Sequence, residues 1–337
     1  MNSKSSSFFI LGLITGALLT TGGLSLFWGQ RDQGEHQVRV LRLAHGLDTA
    51  HPVHRAMVRL AERVDELSAG TVQVRVFSGG VLGSETENIE QLQRGALDIT
   101  KVSAAAMESF VPENAVFGLP YIFRDAAHFW NVLNGSIGQE LLDLGANRGL
   151  RGLCYYDAGA RSFYTTARPI LTPDDLRGLK IRVMQSRTAM DMIQIMGAAP
   201  TPISWGELYT SLQQRVVDGA ENNPPSFLTS RHYEVCRFYS LNEHTRVPDI
   251  VVISERLWLT LPIEVQHWIQ QAADESSQYQ RELWRASEEQ ALAAVQEFGV
   301  EVFHPDTAPF VEIVAPLLAQ HEGTPIGELV QRIRKHP

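Results

Sequence analysis

From residue 38 onward, short runs of alternating apolar and polar positions are separated by longer runs with an apolar residue every three or four positions, and this strand–helix alternation starts twice. Residues 38–45 read as a strand. Residues 51–68 read as a helix with Val53, Met57, Leu60, Val64 and Leu67 on one face and Gly70 just past its end. Residues 72–77 read as a half-buried strand with Gln73 and Arg75 outward, Ser84 caps a helix that stops at Gly95, and residues 97–103 form the next strand. Beyond Leu150 the rhythm restarts. Strands are expected at 153–157, at 162–166 and around Arg182, then a helix from Ser186 to Gly197 and another opened by a Ser204/Glu207 capping box and running to about Arg215. Two such β-α-β series imply an α/β chain with two mainly parallel sheets, each flanked by helices.

Residues 261–298 break the rhythm. They carry no Gly or Pro after Pro262, and Val265, Ile269, Ala272, Tyr279, Leu283 and Ala286 recur at helical spacing. At ~1.5 Å per residue such a helix is about 50 Å long, enough to cross two domains. The chain has 337 residues, 44% of them hydrophobic, which suffices for two cores.

The net charge is −9, from 29 basic and 38 acidic residues, and no basic run of the kind that binds nucleic acid is present. Lys4 is the only charge before an apolar stretch at 8–28, and a polar spacer follows at 29–37. Residues 1–36 therefore read as an export signal. The length of the apolar run, near the ~20 residues that span a bilayer, keeps an uncleaved membrane anchor as the alternative. Either reading puts the remainder outside the cytoplasm. There an oxidising compartment permits a bridge between Cys154 and Cys236, and two separate buried thiols are the plainer reading. The sequence has no G-x-S-x-G elbow, Walker loop, G-x-G-x-x-G after a strand or H-E-x-x-H, so neither an enzyme nor a bound cofactor is expected. His51 and His54 lie three apart without a third ligand in view, and no metal site is expected.

The chemistry concentrates between Lys180 and Asn223. KIRVMQS alternates so that Ile181 and Val183 face one way and Arg182 the other, and a strand arginine can offer a carboxylate two parallel hydrogen bonds. WGELYTSLQQ follows as a helix. VDGAENN, from Val217 to Asn223, reads as a polar turn that aims amides at a ligand. This order of arginine strand, S-W-G-E-L-Y-T-S-L-Q helix and V-D-G-A-E-N turn resembles the solute-binding subunit of tripartite ATP-independent periplasmic (TRAP) transporters, the DctP-like family. So do VFSGGVLGSETENIEQLQRGALDIT at 76–100, VFGLPYIFRD at 116–125 and SRHYEVCRFYSLNEH at 230–244, and the resemblance spans roughly residues 38–327.

The resemblance implies a two-domain periplasmic solute-binding fold around a cleft, with a long domain-spanning helix. The implied domains are residues 37–159 with 248–287, and 160–247 with 288–337, hinged near 158–160 and 246–249. It implies a monomeric receptor, periplasmic or tethered to the inner membrane, that binds a small organic acid and hands it to small and large TRAP membrane subunits.

Arg182 is the implied bidentate carboxylate anchor, and a solvated strand arginine is the bland alternative. Arg161, in the run DAGAR, is the second carboxylate-facing arginine. Asn222, and beside it Asn223, carry ligand-facing amides, against an alternative of plain turn chemistry. Trp205 is an aromatic wall or a packed helix residue, and Tyr209 lies one turn on. Glu85 either accepts from ligand hydroxyls or only complements a helix dipole. His45 ends the first strand, where ligands of α/β proteins collect. ENNPPSF followed by TSRHYEV resembles the branch that binds sugar acids such as glucuronate and galacturonate. A C4-dicarboxylate, with Arg161 holding the second carboxylate, is the alternative ligand, and a ligand-sensing module for a signalling receptor is the alternative role.

Overall fold

In the computed structural model, which describes residues 38–337, the expected alternation becomes two sheets. The export signal or anchor read at residues 1–36 lies outside the described residues. Strands β1 (Arg39–Ala44), β2 (Val72–Phe77), β3 (Ile99–Ser103), β4 (Leu150–Tyr156) and β10 (Asp249–Ser254) form a sheet in the order β2-β1-β3-β10-β4. Strands β5 (Arg161–Thr165), β6 (Lys180–Val183), β7 (Ala199–Pro202), β8 (Gly219–Asn222), β9 (Phe238–Thr245) and β11 (Glu301–Phe303) form the other, in the order β11-β9-β5-β8-β6-β7.

Each sheet holds one reversed strand. β10 is antiparallel to both β3 and β4, while β1 and β3 are parallel. β5 is antiparallel to β8 and β9, while β6 is parallel to β7 and β8. These are the two strands by which the chain enters one sheet directly from the other, through residues 157–160 and 246–248. A parallel partner requires a crossover that turns the chain round, and links this short have no room for one.

The helices follow their sequence signals closely. Helix α1 (Pro52–Leu67) buries Val53, Met57, Leu60 and Val64, and its N-cap is His51, whose ring accepts from the Val53 N–H. Helix α2 (Glu85–Arg94) starts on a complete Ser84/Glu87 capping box. Helices α3 (Ala126–Asn134) and α4 (Ser136–Asp143) follow β3. Helix α5 (Arg187–Ile195) is capped by Ser186, and helix α6 (Trp205–Gln213) begins after Ser204. The capping box expected at Ser204 does not close: its hydroxyl donates to the Glu207 carboxylate and so does not cap the first turn. Helix α7 (Pro224–Thr229) leads into β9.

Helix α8 (Ile263–Glu297, 35 residues) is the long helix. It places Val265, Ile269, Ala272 and Trp284 in the apolar cluster under the first sheet, and Val295 near its end joins the cluster under the second. Gln280 clamps the first link between sheets, accepting from the Asp157 N–H at 2.7 Å and donating to the Asp157 carbonyl at 2.8 Å. Gly159 in that link has φ +59°, and a Cβ there would sit 3.1 Å from Trp284 Nε1, so the link presses against α8 too closely for a side chain. Helices α9 (Ala308–Ala319) and α10 (Pro325–Lys335) close the chain. Phe310 and Ile333 from them share an apolar seam with Phe117 and Ile193. Cys154 and Cys236 are both buried and free, in different clusters.

The stretch read as a turn, VDGAENN, contains strand β8, which is buried throughout between β5 and β6. Its polar letters mislead because Glu221 enters the sheet as one half of an ion pair with Arg161. Gly219 is required by approach: a Cβ there would lie 2.4 Å from the Tyr164 carbonyl oxygen. Gly219→Ala is expected to lower stability by about 1–3 kcal/mol by forcing β8 away from β5. Thermal denaturation checks this, and an unchanged melting temperature would contradict it.

Candidate ligand-binding site

A cavity of about 370 Å³ lies where both links pass between the sheets, within the ~300–1,000 Å³ typical of small-molecule sites. It collects the carboxyl ends of the parallel strands β3, β6 and β8, and the amino ends of the reversed strands β5 and β10. Six of the eight residues expected to bind line it: Arg182, Arg161, Asn222, Asn223, Trp205 and Glu85.

Arg182 stands on β6 with Ile181 and Val183 packed into the core on either side. Its residue is 3% exposed, its Nε donates to the Ile203 carbonyl at 2.8 Å, and its buried Nη1 has no hydrogen-bond partner among the described residues. No carboxylate of the described residues forms an ion pair with it, and its Cζ lies 5.9 Å from the centre of the Trp205 ring. Burial pulls its pKa below the ordinary arginine value. An unpaired charge this deep costs several kcal/mol unless something anionic occupies the cavity.

Arg161 is the opposite case. It donates through Nε and Nη2 to both Glu221 carboxylate oxygens (Nη2–Oε1 2.9 Å), through Nη2 to the Glu221 carbonyl at 2.7 Å, and through Nη1 to Asn222 Oδ1 at 2.9 Å. Four of its five N–H groups are thereby used. Burial alone pushes the Glu221 carboxyl up, but Arg161 outweighs it and holds the group down at about 2. Asn222 Oδ1 also accepts from Asn223 N and Nδ2 at 2.9 and 3.0 Å. Its oxygen is saturated, so only its Nδ2 donors remain for a ligand. Asn223 Oδ1 caps α7 through Ser226 N at 2.8 Å.

The first sheet contributes a cluster that sequence reasoning missed. Lys101 on β3 is buried, with Nζ 3.2 Å from Glu85 Oε1 and 3.1 Å from Asp249 Oδ2. Burial disfavours the ammonium, yet Asp249 and Glu85 outweigh it and raise its pKa. Burial raises the Asp249 carboxyl against the pull of Lys101. Glu85 Oε1 also accepts from the Ser103 N–H at 3.1 Å, so Glu85 is positioned by more than its helix dipole. The available signal was a lysine between Ile99 and Val102 in the strand expected at 97–103, since a charge in a buried strand must be paired. His51 lines the cavity too. With Nδ1 held by Val53, its Nε2 lies 3.2 Å from Ser226 Oγ, and burial lowers its pKa to about 3, so it is neutral. Thr86 Oγ1 donates to Gln185 Oε1 at 2.6 Å, a contact between the segments that follow β2 and β6.

His45 and Tyr209 do not reach the cavity. The His45 ring turns toward α1, with Nε2 3.0 Å from His54 Nδ1 and Nδ1 accepting from Leu47 N at 3.1 Å. Tyr209 shares a helix face with Trp205, but its hydroxyl bonds Glu234 at 2.7 Å on the surface. No group of three or more His, Cys, Asp or Glu among the described residues is placed to hold a metal ion. No helix among them is long and apolar enough to cross a membrane.

Comparison with known proteins agrees with this architecture. Residues 43–323 match the family described as bacterial extracellular solute-binding protein, family 7, or DctP, and the chain belongs to that family. A Salmonella typhimurium protein called YiiZ is 40% identical over 325 residues, covering 96% of each chain. A TRAP periplasmic solute-binding protein from a Bradyrhizobium species, solved with D-galacturonate, has a TM-score of 0.86 at 41% identity, over 88% of this chain and 99% of that one. One from Roseobacter denitrificans, solved with β-D-glucuronate, has a TM-score of 0.86 at 38% identity, over 88% of this chain and 100% of that one.

The Arg161–Glu221 pair makes an acid-stability prediction. A carboxyl depressed in the folded state stabilises fully above its unfolded pKa of 4.5, and that stability drains away as pH falls toward about 2. Glu221→Gln is expected to lose about 3–5 kcal/mol at neutral pH, because Arg161 is left charged and buried. It is also expected to flatten the fall in stability between those two pH values. Denaturant titrations of both proteins across that range check this, and identical acid limbs would contradict it.

Proposed function

We propose that this chain is the extracytoplasmic receptor of a TRAP transporter and that it binds a hexuronate or a similar sugar acid. It works in the periplasm, free or tethered by its N-terminal segment, and delivers the ligand to a small and a large membrane subunit. The observation that carries the reading is Arg182: a buried guanidinium, unpartnered at Nη1 and without a counter-charge, facing a cavity of small-molecule size. A carboxylate supplies both the missing charge and two parallel acceptors. Around it stand hydroxyl-recognising groups, namely Asn222 Nδ2, the Lys101–Glu85–Asp249 cluster and Ser226, with Trp205 and Trp284 as flat walls. The uronates bound by similar solved proteins support the same ligand class. A C4-dicarboxylate fits less well, because Arg161, the residue needed for its second carboxylate, is already engaged by Glu221.

Arg182 also links binding to motion. Closing an empty cleft buries a lone charge, whereas closing on a carboxylate buries a matched pair, so ligand favours the closed form. The proposed lobes are residues 37–159 with 248–287 and 160–247 with 288–337. The strands support this division: those of the first sheet fall in the first set and those of the second sheet in the second. The links at 157–160 and 246–248 are the hinges, and the Phe117–Ile193–Phe310 seam is the pivot at the back.

Titration calorimetry with glucuronate, galacturonate and glucose tests the ligand class: the acids bind at micromolar concentration or below, and the neutral sugar binds weakly or not at all. Equal affinity for acid and neutral sugar would overturn the reading. Arg182→Ala is expected to weaken acid binding by about 2–5 kcal/mol, or roughly 30-fold to several-thousand-fold. Arg182→Lys is expected to rescue it poorly, since an ammonium cannot make two coplanar bonds. Neither substitution is expected to lower the melting temperature of the empty protein, because the guanidinium has no ionic partner to lose. Wild-type affinity in Arg182→Lys would refute the bidentate contact. Small-angle X-ray scattering is expected to give a smaller radius of gyration with saturating ligand, and an unchanged radius would refute hinge closure.

A further inference from the structure

We infer that the cavity admits one carboxylate and no more, and that Glu85 and Asp249 enforce this by consuming the charge of Lys101. The inference rests on the sugar-acid reading above and narrows it, to acids with one carboxylate and a hydroxyl or carbonyl group at the far end. Three cationic side chains of the described residues line the cavity: Arg161, Lys101 and Arg182. Arg161 is neutralised by Glu221, through both carboxylate oxygens. Lys101 Nζ lies 3.2 Å from one carboxylate, Glu85, and 3.1 Å from a second, Asp249. Arg182 alone has no carboxylate partner among the described residues.

The cluster on the first sheet therefore carries no surplus positive charge. With both acids ionised its sum is −1, and with Asp249 protonated it is zero. The other charged groups at the rim add only negative charge: Glu87 is held by Ser84 and Glu207 by Ser204. A ligand anchored on Arg182 extends its other end toward this cluster. Hydroxyls there find acceptors in Glu85 Oε2 and Asp249 and the spare donor of Lys101. A second carboxylate finds two like charges and no free cation among the described residues, and such a juxtaposition disfavours binding. A uronic acid and the aldaric acid obtained by oxidising its aldehyde carbon share a carbon skeleton. The aldarate carries a second charge and, lacking the aldehyde, cannot close the sugar ring, so it is the response of their affinity ratio to substitution of Glu85 and Asp249 that reads the charge.

The test is a calorimetric comparison of D-galacturonate with galactarate, its aldaric counterpart, on the unmodified protein and on Glu85→Gln and Asp249→Asn. On the unmodified protein galactarate is expected to bind at least roughly 100-fold more weakly than galacturonate. Either substitution is expected to shrink that ratio roughly tenfold or more by leaving Lys101 less fully matched, with melting temperatures recorded to show that the variants are folded. Galactarate binding within threefold of galacturonate on the unmodified protein would overturn the inference and leave the sugar-acid reading intact. An undiminished ratio in both folded variants would overturn the assignment to Glu85 and Asp249. Failure of both acids to bind would overturn the sugar-acid reading, and this inference with it.

Discussion

Arg161 and Glu221, taken out of water together, set the terms for everything around them. A carboxylate can sit at 2% exposure inside a sheet only against a matched cation, and Arg161 at 4% exposure supplies it through two of its nitrogens. The pair ties β5 to β8, so a stretch as polar as Gly219–Asn222 becomes a central strand. It also orients Asn222, whose oxygen is claimed from behind and whose amide nitrogen is left for the cavity. Because Glu221 neutralises Arg161, Arg182, two strands away across β8, remains the odd charge among the described residues.

The architecture that delivers these groups to one place is a consequence of how the chain changes sheets. Entering each sheet without a crossover reverses β5 and β10, which brings their amino ends to the same rim as the carboxyl ends of the parallel strands. Arg161 begins one reversed strand and Asp249 the other. The two links between sheets therefore border the cavity directly, through Ala158 and Val247. Helix α8 registers both cores against each other while Gln280 grips the first link. Any rotation of the sheets is thus felt at the cavity, and any charge placed in the cavity bears on the rotation.

The distribution of charge in the cavity is asymmetric. On the second sheet there is an excess of one positive charge, at Arg182. On the first sheet a lysine is outnumbered by carboxylates. Burial magnifies both, since neither group can be screened by water in a closed cleft. On the proposed function, such a site would orient a sugar acid as well as hold it, with the anionic end toward β6 and the hydroxylated end toward β3.

Helices and strands were legible wherever the apolar spacing was undisturbed, as in α1, α2 and α8, because burying a stripe or a face is a local property of the sequence. The Arg182 strand was legible for the same reason, since Ile181 and Val183 declare which way the arginine must point. The resemblance to a known family brought six lining residues into view and implied Arg182 as the anchor with Arg161 as a second carboxylate-facing arginine, but not that one of the two is already paired. What separates them is Glu221, sixty residues from Arg161 along the chain, in a run that reads as a turn. Lys101 and Asp249 escaped for the same reason: each is a single charged letter in its strand, and their pairing exists only across the sheet. His45 and Tyr209 carried suitable chemistry and lost it to neighbours, His54 and Glu234, that spacing could not identify. The sequence by itself determined the α/β class, the long helix and which residue types could bind an acid. Only the tertiary structure decided which charges cancel and which one is left over, because electrostatic pairing in a buried site depends on distances in space that sequence spacing does not encode.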